Sequence, residues 1–333
     1  MKIPRLAMTA CALTVAFALS ACTATPAPTG TEAAPSPSTE PTFLNQSDVD
    51  IMERLPATVP DARIRYDESP LTYGDIRIPT DGESETYPLV VLIHGGAWES
   101  SYNSDYFDQL AEALADAGVA TWNLEFRRLN NPGSEFPGMF LDIAHGVDFV
   151  RDLAERYPID VDNVVVMGHS SGGHLAAWAA GRKNIPRDSE LFAEDPLAVR
   201  GVVDLAGVLD LEHAFEAGRT DVLDVVGAAD GQGLSAKAPA TSPIRLLPLG
   251  VPQTLIIGTE DSPWRIESDQ RYRAAGTAAG DDVKVVTLEG ANHFDVVDVC
   301  SPAWVPIVTA VFEYVDLPLD DSATESPTAV CAR

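Results

Sequence analysis

Gly168-His169-Ser170-Ser171-Gly172 stands between the apolar run Val164 to Met167 and the small-residue stretch His174 to Gly181. A β-branched run that enters a G-x-S-x-G string and leaves into small helix formers places a serine at a strand-to-helix elbow. Such a turn is too tight for a Cβ at either flank, so glycine is required on both sides. Its strain lifts the Ser170 hydroxyl clear of the sheet edge. The string alone is weak evidence, because small residues crowd many turns, and the context must come from the rest of the chain.

Outward from the elbow, apolar β-rich runs recur at Leu89 to His94, Val119 to Leu124, Val164 to Gly168, Gly201 to Leu205, Thr254 to Gly258 and Val283 to Leu288. Between them lie segments with apolar residues spaced at three and four: Tyr106 to Ala117, Phe140 to Leu153 and, more weakly, Ile266 to Ala279. The alternation predicts an α/β fold with a mainly parallel sheet covered on both faces. Arg63 to Tyr66 and Asp75 to Ile78 are expected as an antiparallel edge. The segment 208–249 breaks the alternation with several Gly and Pro, and is expected to form a small cap over the site.

A serine hydroxyl is a poor nucleophile. It needs a base within hydrogen-bond reach, and the base needs an acid to hold its tautomer. Asp261 follows the run Thr254 to Gly258, and His293 follows Val283 to Leu288. Ser170, Asp261 and His293 therefore each come just past a strand's carboxyl end, and in a parallel sheet those ends share one side. Glu260, one residue nearer the strand, is the alternative acid. Upstream, Leu89 to Ile93 runs into His94-Gly95-Gly96-Ala97-Trp98. The bare amides of Gly96 and Ala97, with that of Ser171, are the expected donors to a developing oxyanion.

His169 is expected to pack behind the elbow, and His94 to brace the glycine loop. Arg127 and Arg128 offer either a carboxylate-binding site or, more simply, a partner for Glu125 or a nearby acid. Trp98 and Trp264 flank the expected pocket and either line it or pack beneath it. His145, His174 and His213 carry no acid and cysteine pattern around them, so no metal ligation is expected.

The His94 to Trp98 loop, Asn123-Leu124-Glu125-Phe126-Arg127-Arg128, Phe136-Pro137-Gly138 leading to Asp142, Gly168 to Ala176, Ser242-Pro243-Ile244 and the acid and histidine segments together resemble α/β-hydrolases. The resemblance is to the esterase and kynurenine-formamidase-like branch, including feruloyl-esterase-like members, over roughly residues 60 to 315. The order Ser, Asp, His is that of this superfamily. The resemblance implies a serine hydrolase acting on a small-molecule carboxylic ester through an acyl-enzyme, without a cofactor. It also permits an arylformamidase-type amidase. A non-catalytic surface protein retaining the fold is the reading from a different class. Two departures from the family pattern are Ser171, where alanine is frequent, and Pro263-Trp264 just after the acid.

Residues 1–21 carry Lys2 and Arg5 and then an apolar core, and Leu19-Ser20-Ala21-Cys22 resembles the lipobox of a bacterial lipoprotein. The expectation is a lipoprotein signal peptide, lipidation of Cys22 and an extracytoplasmic protein anchored to the membrane; ordinary secretion is the alternative. Residues 22–44 are expected to be a disordered tether; the twenty residues 23–42, almost all Thr, Ala, Pro, Ser, Gly and Glu, could reach roughly 60 Å at about 3.1 Å per residue. The domain is expected over 45–318, with a polar tail over 319–333. A formal charge of −28, which becomes −30 once Lys2 and Arg5 leave, argues against nucleic acid or anionic lipid as partners. Outside the leader and Cys22, the remaining cysteines, Cys300 and Cys331, are candidates for one disulfide. Oligomeric state is not legible.

Overall fold

The computed structural model describes residues 43, 47, 50, 57–80, 85–325, 327 and 331. The leader over 1–21, Cys22 and, apart from Phe43, the tether over 22–44 lie outside the described residues.

The chain first forms strands β1 (Ala62–Arg65), β2 (Tyr73–Arg77) and β3 (Tyr87–Ile93), then helix α1 (Asp108–Asp116) and strand β4 (Ala120–Glu125). Helices α2 (Gly138–Asp148) and α3 (Val150–Ala154) lead into β5 (Ile159–His169), α4 (Ser171–Gly181) and β6 (Gly201–Leu205). Three short helices follow, α5 (Leu211–Glu216), α6 (Asp221–Val226) and α7 (Gly231–Thr241). The chain then forms β7 (Gln253–Gly258), α8 (Pro263–Ala279), β8 (Val283–Leu288), α9 (Trp304–Tyr314) and α10 (Asp321–Thr324).

All eight strands join one sheet in the order β1-β2-β4-β3-β5-β6-β7-β8. Pairing is antiparallel from β1 to β4 and parallel from β4 to β8. The central strand β3 is buried at every position, which is why it reads as an unbroken apolar run rather than an alternation. Leu89, Val91 and Ile93 enter one core layer with Trp122, Phe140 and Trp178, under α2, α3 and α4. Val90 and Leu92 enter the other with Phe107, Leu114, Trp304 and Val311, under α1 and α9. β8, at the sheet's edge, is buried only at Val283 and half-buried or exposed along the rest of its length.

The structure differs from the sequence expectation at three places. The helix expected over 140–153 is two, α2 and α3, with Phe149 between them. Helix α8 begins three residues before Ile266, because Pro263 sits at its first position, where its fixed φ suits a helix and its missing N–H costs nothing. Helix α9 was not read at all: Trp-Val-Pro-Ile-Val-Thr-Ala-Val-Phe-Glu-Tyr is apolar nearly all round and rich in β-branched residues, and its fit against the sheet overrides local preference.

In the segment 208–249, polar side chains start two of the three helices. Asp210 Oδ1 accepts from the His213 amide at 3.0 Å, and Asp230 Oδ1 from the Gly233 amide at 2.9 Å. At the other end the chain beyond 318 is bound to the domain: the Trp304 indole donates to the Ala323 carbonyl at 3.0 Å, and Cys300 is disulfide-bonded to Cys331. Cys331→Ser opens a loop spanning 31 positions. It is expected to lower stability by about 3 to 4 kcal/mol on the chain-entropy account, seen as a fall in Tm without reductant. Equal Tm values for parent and variant would mean that the α9–α10 contacts hold the tail alone.

Candidate active site

Ser170 sits where β5 becomes α4, at φ 56° and ψ −117°. This is a strained conformation for a residue with a Cβ, maintained by the surrounding backbone. The Ser170 amide donates to the Leu205 carbonyl at 2.9 Å, tying the elbow to β6. A Cβ on Gly168 would lie 2.1 Å from the Gly172 carbonyl oxygen, and one on Gly172 would lie 2.0 Å from that of Ile93. The flanking glycines are therefore required by close backbone approach. The small residues of α4 then let the helix lie flat on β3 and β6.

His293 and Asp261 meet Ser170 at this corner. His293 Nε2 is 3.0 Å from Ser170 Oγ, and His293 Nδ1 is 2.7 Å from Asp261 Oδ2. The histidine loop is shaped by Asn292, whose Oδ1 accepts from the amides of Phe294 and Asp295 at 2.9 and 3.0 Å. Asp261 Oδ1 accepts from the Ser262 amide at 2.5 Å. Glu260 points to solvent while its amide donates to the Ala291 carbonyl, so of the two candidate acids it is Asp261 that faces the imidazole.

Burial works to raise the Asp261 carboxyl, but its hydrogen bond to His293 and the charges of His293 and Arg265 hold it below the ordinary carboxylate value. His293 is held below the usual imidazole value, first by burial and then by the cations Arg265 and Arg219, against the pull of Asp261. A fifth of the His293 side chain still reaches solvent. His169 packs behind the elbow, as its position suggested. Its Nδ1 is 3.1 Å from the Tyr106 hydroxyl, its Nε2 donates to the His293 carbonyl at 2.9 Å, and burial keeps it neutral.

The glycine loop after β3 holds three successive residues with positive φ: Gly96 at 113°, Ala97 at 54° and Trp98 at 58°. A Cβ on Gly96 would fall 2.4 Å from the Tyr102 side chain, whereas Ala97 adopts its left-handed conformation with its methyl in place. Among the described residues the amides of Gly96 and Ala97 meet no protein acceptor. The Ser171 amide opens α4, where helical amides lack intrahelical partners.

Sequence reasoning missed what fastens this loop. The Trp98 amide donates to Ser171 Oγ at 3.2 Å, and the Gly95 amide donates to the Tyr106 hydroxyl. The Trp98 indole donates to His174 Nδ1 at 3.2 Å, and His174 Nε2 donates to the Thr241 carbonyl at 2.9 Å. Burial lowers His174 to about 4, so the ring serves as a neutral bridge. With 1% of its surface exposed, Trp98 packs beneath the loop and does not line a pocket; Trp264 is half-buried and keeps exposed surface. Below the loop, His94 Nδ1 donates to the Gly95 carbonyl at 2.8 Å while Arg128 Nη1 donates to His94 Nε2 at 3.1 Å and also to Glu125. Burial tends to raise Glu125, but His94 and Arg128 bring it down to about 2. Arg127 forks onto Asp142, with Nε 2.8 Å from Oδ2. Both arginines thus hold the loop.

Helices α5–α7 reach the site through the loop 217–220. The Arg219 guanidinium lies 5.9 Å from the Trp98 ring and 5.7 Å from the Trp264 ring, and His213 Nε2 donates to the Trp264 carbonyl at 3.2 Å.

The family model described as BD-FAE matches residues 75–270. A probable isoprenylcysteine alpha-carbonyl methylesterase of Oryza sativa subsp. japonica is 26% identical over 243 residues, 69% of this chain and 57% of that protein. Esterase LipC of Mycobacterium tuberculosis is 26% identical over 247 residues, 71% of this chain and 60% of that protein. The chain thus spans less than two thirds of the length of either. Among solved structures, a truncated carbohydrate esterase from gut microbiota superimposes with a TM-score of 0.68 at 20% identity, over 79% of this chain and 98% of that one. Esterase B of Lactobacillus rhamnosis gives 0.64 at 19% identity, over 82% and 90%. Both likenesses are of fold, and that fold is the α/β-hydrolase fold.

Ser171→Ala removes the acceptor that fastens the Trp98 amide, a hydrogen bond of about 0.5 to 1.5 kcal/mol. It is expected to slow phosphonylation of Ser170 by a fluorophosphonate roughly two- to tenfold. An unchanged labelling rate would show that the loop keeps its shape without this contact.

Proposed function

The chain belongs to the BD-FAE family, and from that premise we propose that it is a serine esterase cleaving a small-molecule carboxylic ester through an acyl-enzyme. The observation that carries this reading is the pair of contacts on one imidazole, 3.0 Å to Ser170 Oγ and 2.7 Å to Asp261 Oδ2. The named activities of the relatives and the resemblance of the motifs support it.

In this reading His293 Nε2 takes the Ser170 proton as Oγ attacks the ester carbonyl carbon. The carbonyl oxygen becomes an oxyanion and receives hydrogen bonds from the amides of Gly96, Ala97 and Ser171. Each such donor typically contributes about 10² to 10³ in rate. Collapse expels the alcohol, which takes the proton from His293. Water, deprotonated by the same imidazole, then attacks the acyl-enzyme and releases the acid. Asp261 stays ionised throughout, orienting the ring and balancing its positive charge. The segment 208–249 acts as the cap, with Trp264 and Arg219 nearest the substrate.

Ser170→Ala is expected to abolish turnover of short p-nitrophenyl esters with Tm nearly unchanged, since alanine keeps the backbone and removes only the hydroxyl. Turnover by that variant within tenfold of the parent would take Ser170 out of the nucleophile's role.

The leader and Leu19-Ser20-Ala21-Cys22 further support an extracytoplasmic location, with the enzyme anchored through acylated Cys22 on the tether 22–44. Several acyl chains, at about 0.8 kcal/mol per buried methylene, would hold it firmly. The full-length protein is expected to partition into the detergent phase of a bacterial extract, and Cys22→Ser to move it to the aqueous phase. Equal partitioning of both would rule out the anchor.

A further inference from the structure

A largely buried cation beside the acid takes no part in the scheme above. Arg265 is the third residue of α8, four positions after Asp261. Its Nη1 lies 3.5 Å from Asp261 Oδ1 and donates to Ser262 Oγ at 3.0 Å, and Ser262 Oγ in turn donates to Asp261 Oδ1 at 3.2 Å. The guanidinium carbon stands 4.5 Å from the Trp264 ring centroid, which fixes its plane. The side chain is 11% exposed, and among the described residues Asp261 is the carboxylate within ion-pair distance of it. Its Nε is buried without a protein partner.

An arginine so placed is costly if its task is packing, because an apolar residue of similar volume avoids the desolvation penalty. Its charge has two effects at this position. It faces the acid together with the positive N-terminal end of a 17-residue helix, and it opposes a proton on His293, whose Nδ1 is 2.7 Å from the other oxygen of that acid. Resting on the ester-cleavage reading, we propose that Arg265 is a positioning residue of the hydrolytic site. It locks Asp261 through Ser262 and keeps a fixed positive charge behind the acid–base pair, so that His293 holds a proton less tightly and stays a free base at mildly acid pH.

The groups that face His293 come from four elements. Asp261 follows β7 and favours the imidazolium. His169, at the end of β5 with its ring centroid 4.6 Å away, is kept neutral by burial. Arg265 from α8 and Arg219 from the 217–220 loop both oppose protonation. Behind Arg265, Asp269 is fully buried, and among the described residues neither of its oxygens has a hydrogen-bond partner. Burial, then Asp204 and Asp261, push it well above the ordinary value, and Asp204 itself is raised to about 7. The base must be neutral to take the serine proton, so kcat/KM falls as pH drops through the His293 value. Removing a cation raises that value and moves the fall toward neutral pH.

The test is the pH profile of kcat/KM on a p-nitrophenyl ester, with an NMR titration of the His293 ring alongside it, for the full-length protein and two variants. The parent's acid limb is expected below pH 6.5. Arg265→Gln should move the limb and the NMR midpoint up by about half a unit to one unit, leaving the rate at pH 8 much less affected than the rate at pH 5.5. Arg265→Lys, which keeps the charge, should stay near the parent. Any of three results would overturn the proposal: a glutamine variant slowed equally at every pH, a lysine variant shifted as far as the glutamine one, or a parent limb at or above 6.5. The last is decisive even if Arg265→Gln does not fold. A parent without Ser170-dependent turnover would refute the esterase reading, while the NMR midpoints would still judge Arg265.

Discussion

Three chain segments approach one another at the Ser170 elbow more closely than a Cβ would allow, and the rest of the site depends on that contact. Gly168 faces the Gly172 carbonyl, Gly172 faces the Ile93 carbonyl, and Gly173 abuts Asp204. Because β3, β5 and β6 are hydrogen-bonded neighbours in parallel register, this close approach brings Ser170, the glycine loop after β3 and the end of β6 to one corner. The strain at Ser170 is sustained by packing in which hardly an atom of β3 or β5 near the elbow is exposed.

Around that corner the charges are arranged as held pairs. Glu125 is caught between Arg128 and His94, Asp142 by Arg127, and Asp261 between His293 and Arg265. Each pair binds a loop that lacks regular backbone pairing of its own. Buried charges of this kind contribute little net stability, but removing one partner leaves the other uncompensated. Their role is to define loop geometry. The buried histidines do related work: His94, His169 and His174 each join one segment to another through both ring nitrogens.

The parts added outside the sheet act on the same corner. The 208–249 helices bring Arg219 over Trp98 and Trp264, and the His174 bridge joins the glycine loop to α7 at Thr241. The 208–249 helices are thereby hydrogen-bonded, through His174, to the loop that carries Gly96 and Ala97. On the far side, the Cys300–Cys331 bond and the Trp304–Ala323 hydrogen bond secure the stretch that follows His293.

The parallel strands, the elbow and the chain order Ser170, Asp261, His293 were legible without the fold, since each depends on a local pattern: apolar runs, a glycine pair, a short polar loop after a strand. Neighbouring candidates were beyond its reach. Glu260 and Asp261 differ by one position, and it is the turn pinned by Ala291 that aims the second inward. Trp98 stood open between pocket lining and packing, and its buried indole, bonded to His174, decides for packing; α9 carried a composition that suits a strand as well as a helix. Ser171 and Arg265 owe their roles to partners 73 and 4 positions away. Only tertiary structure decided these points, because the direction of a side chain and the partner of a polar atom depend on which surfaces packing brings together, and no local periodicity records that.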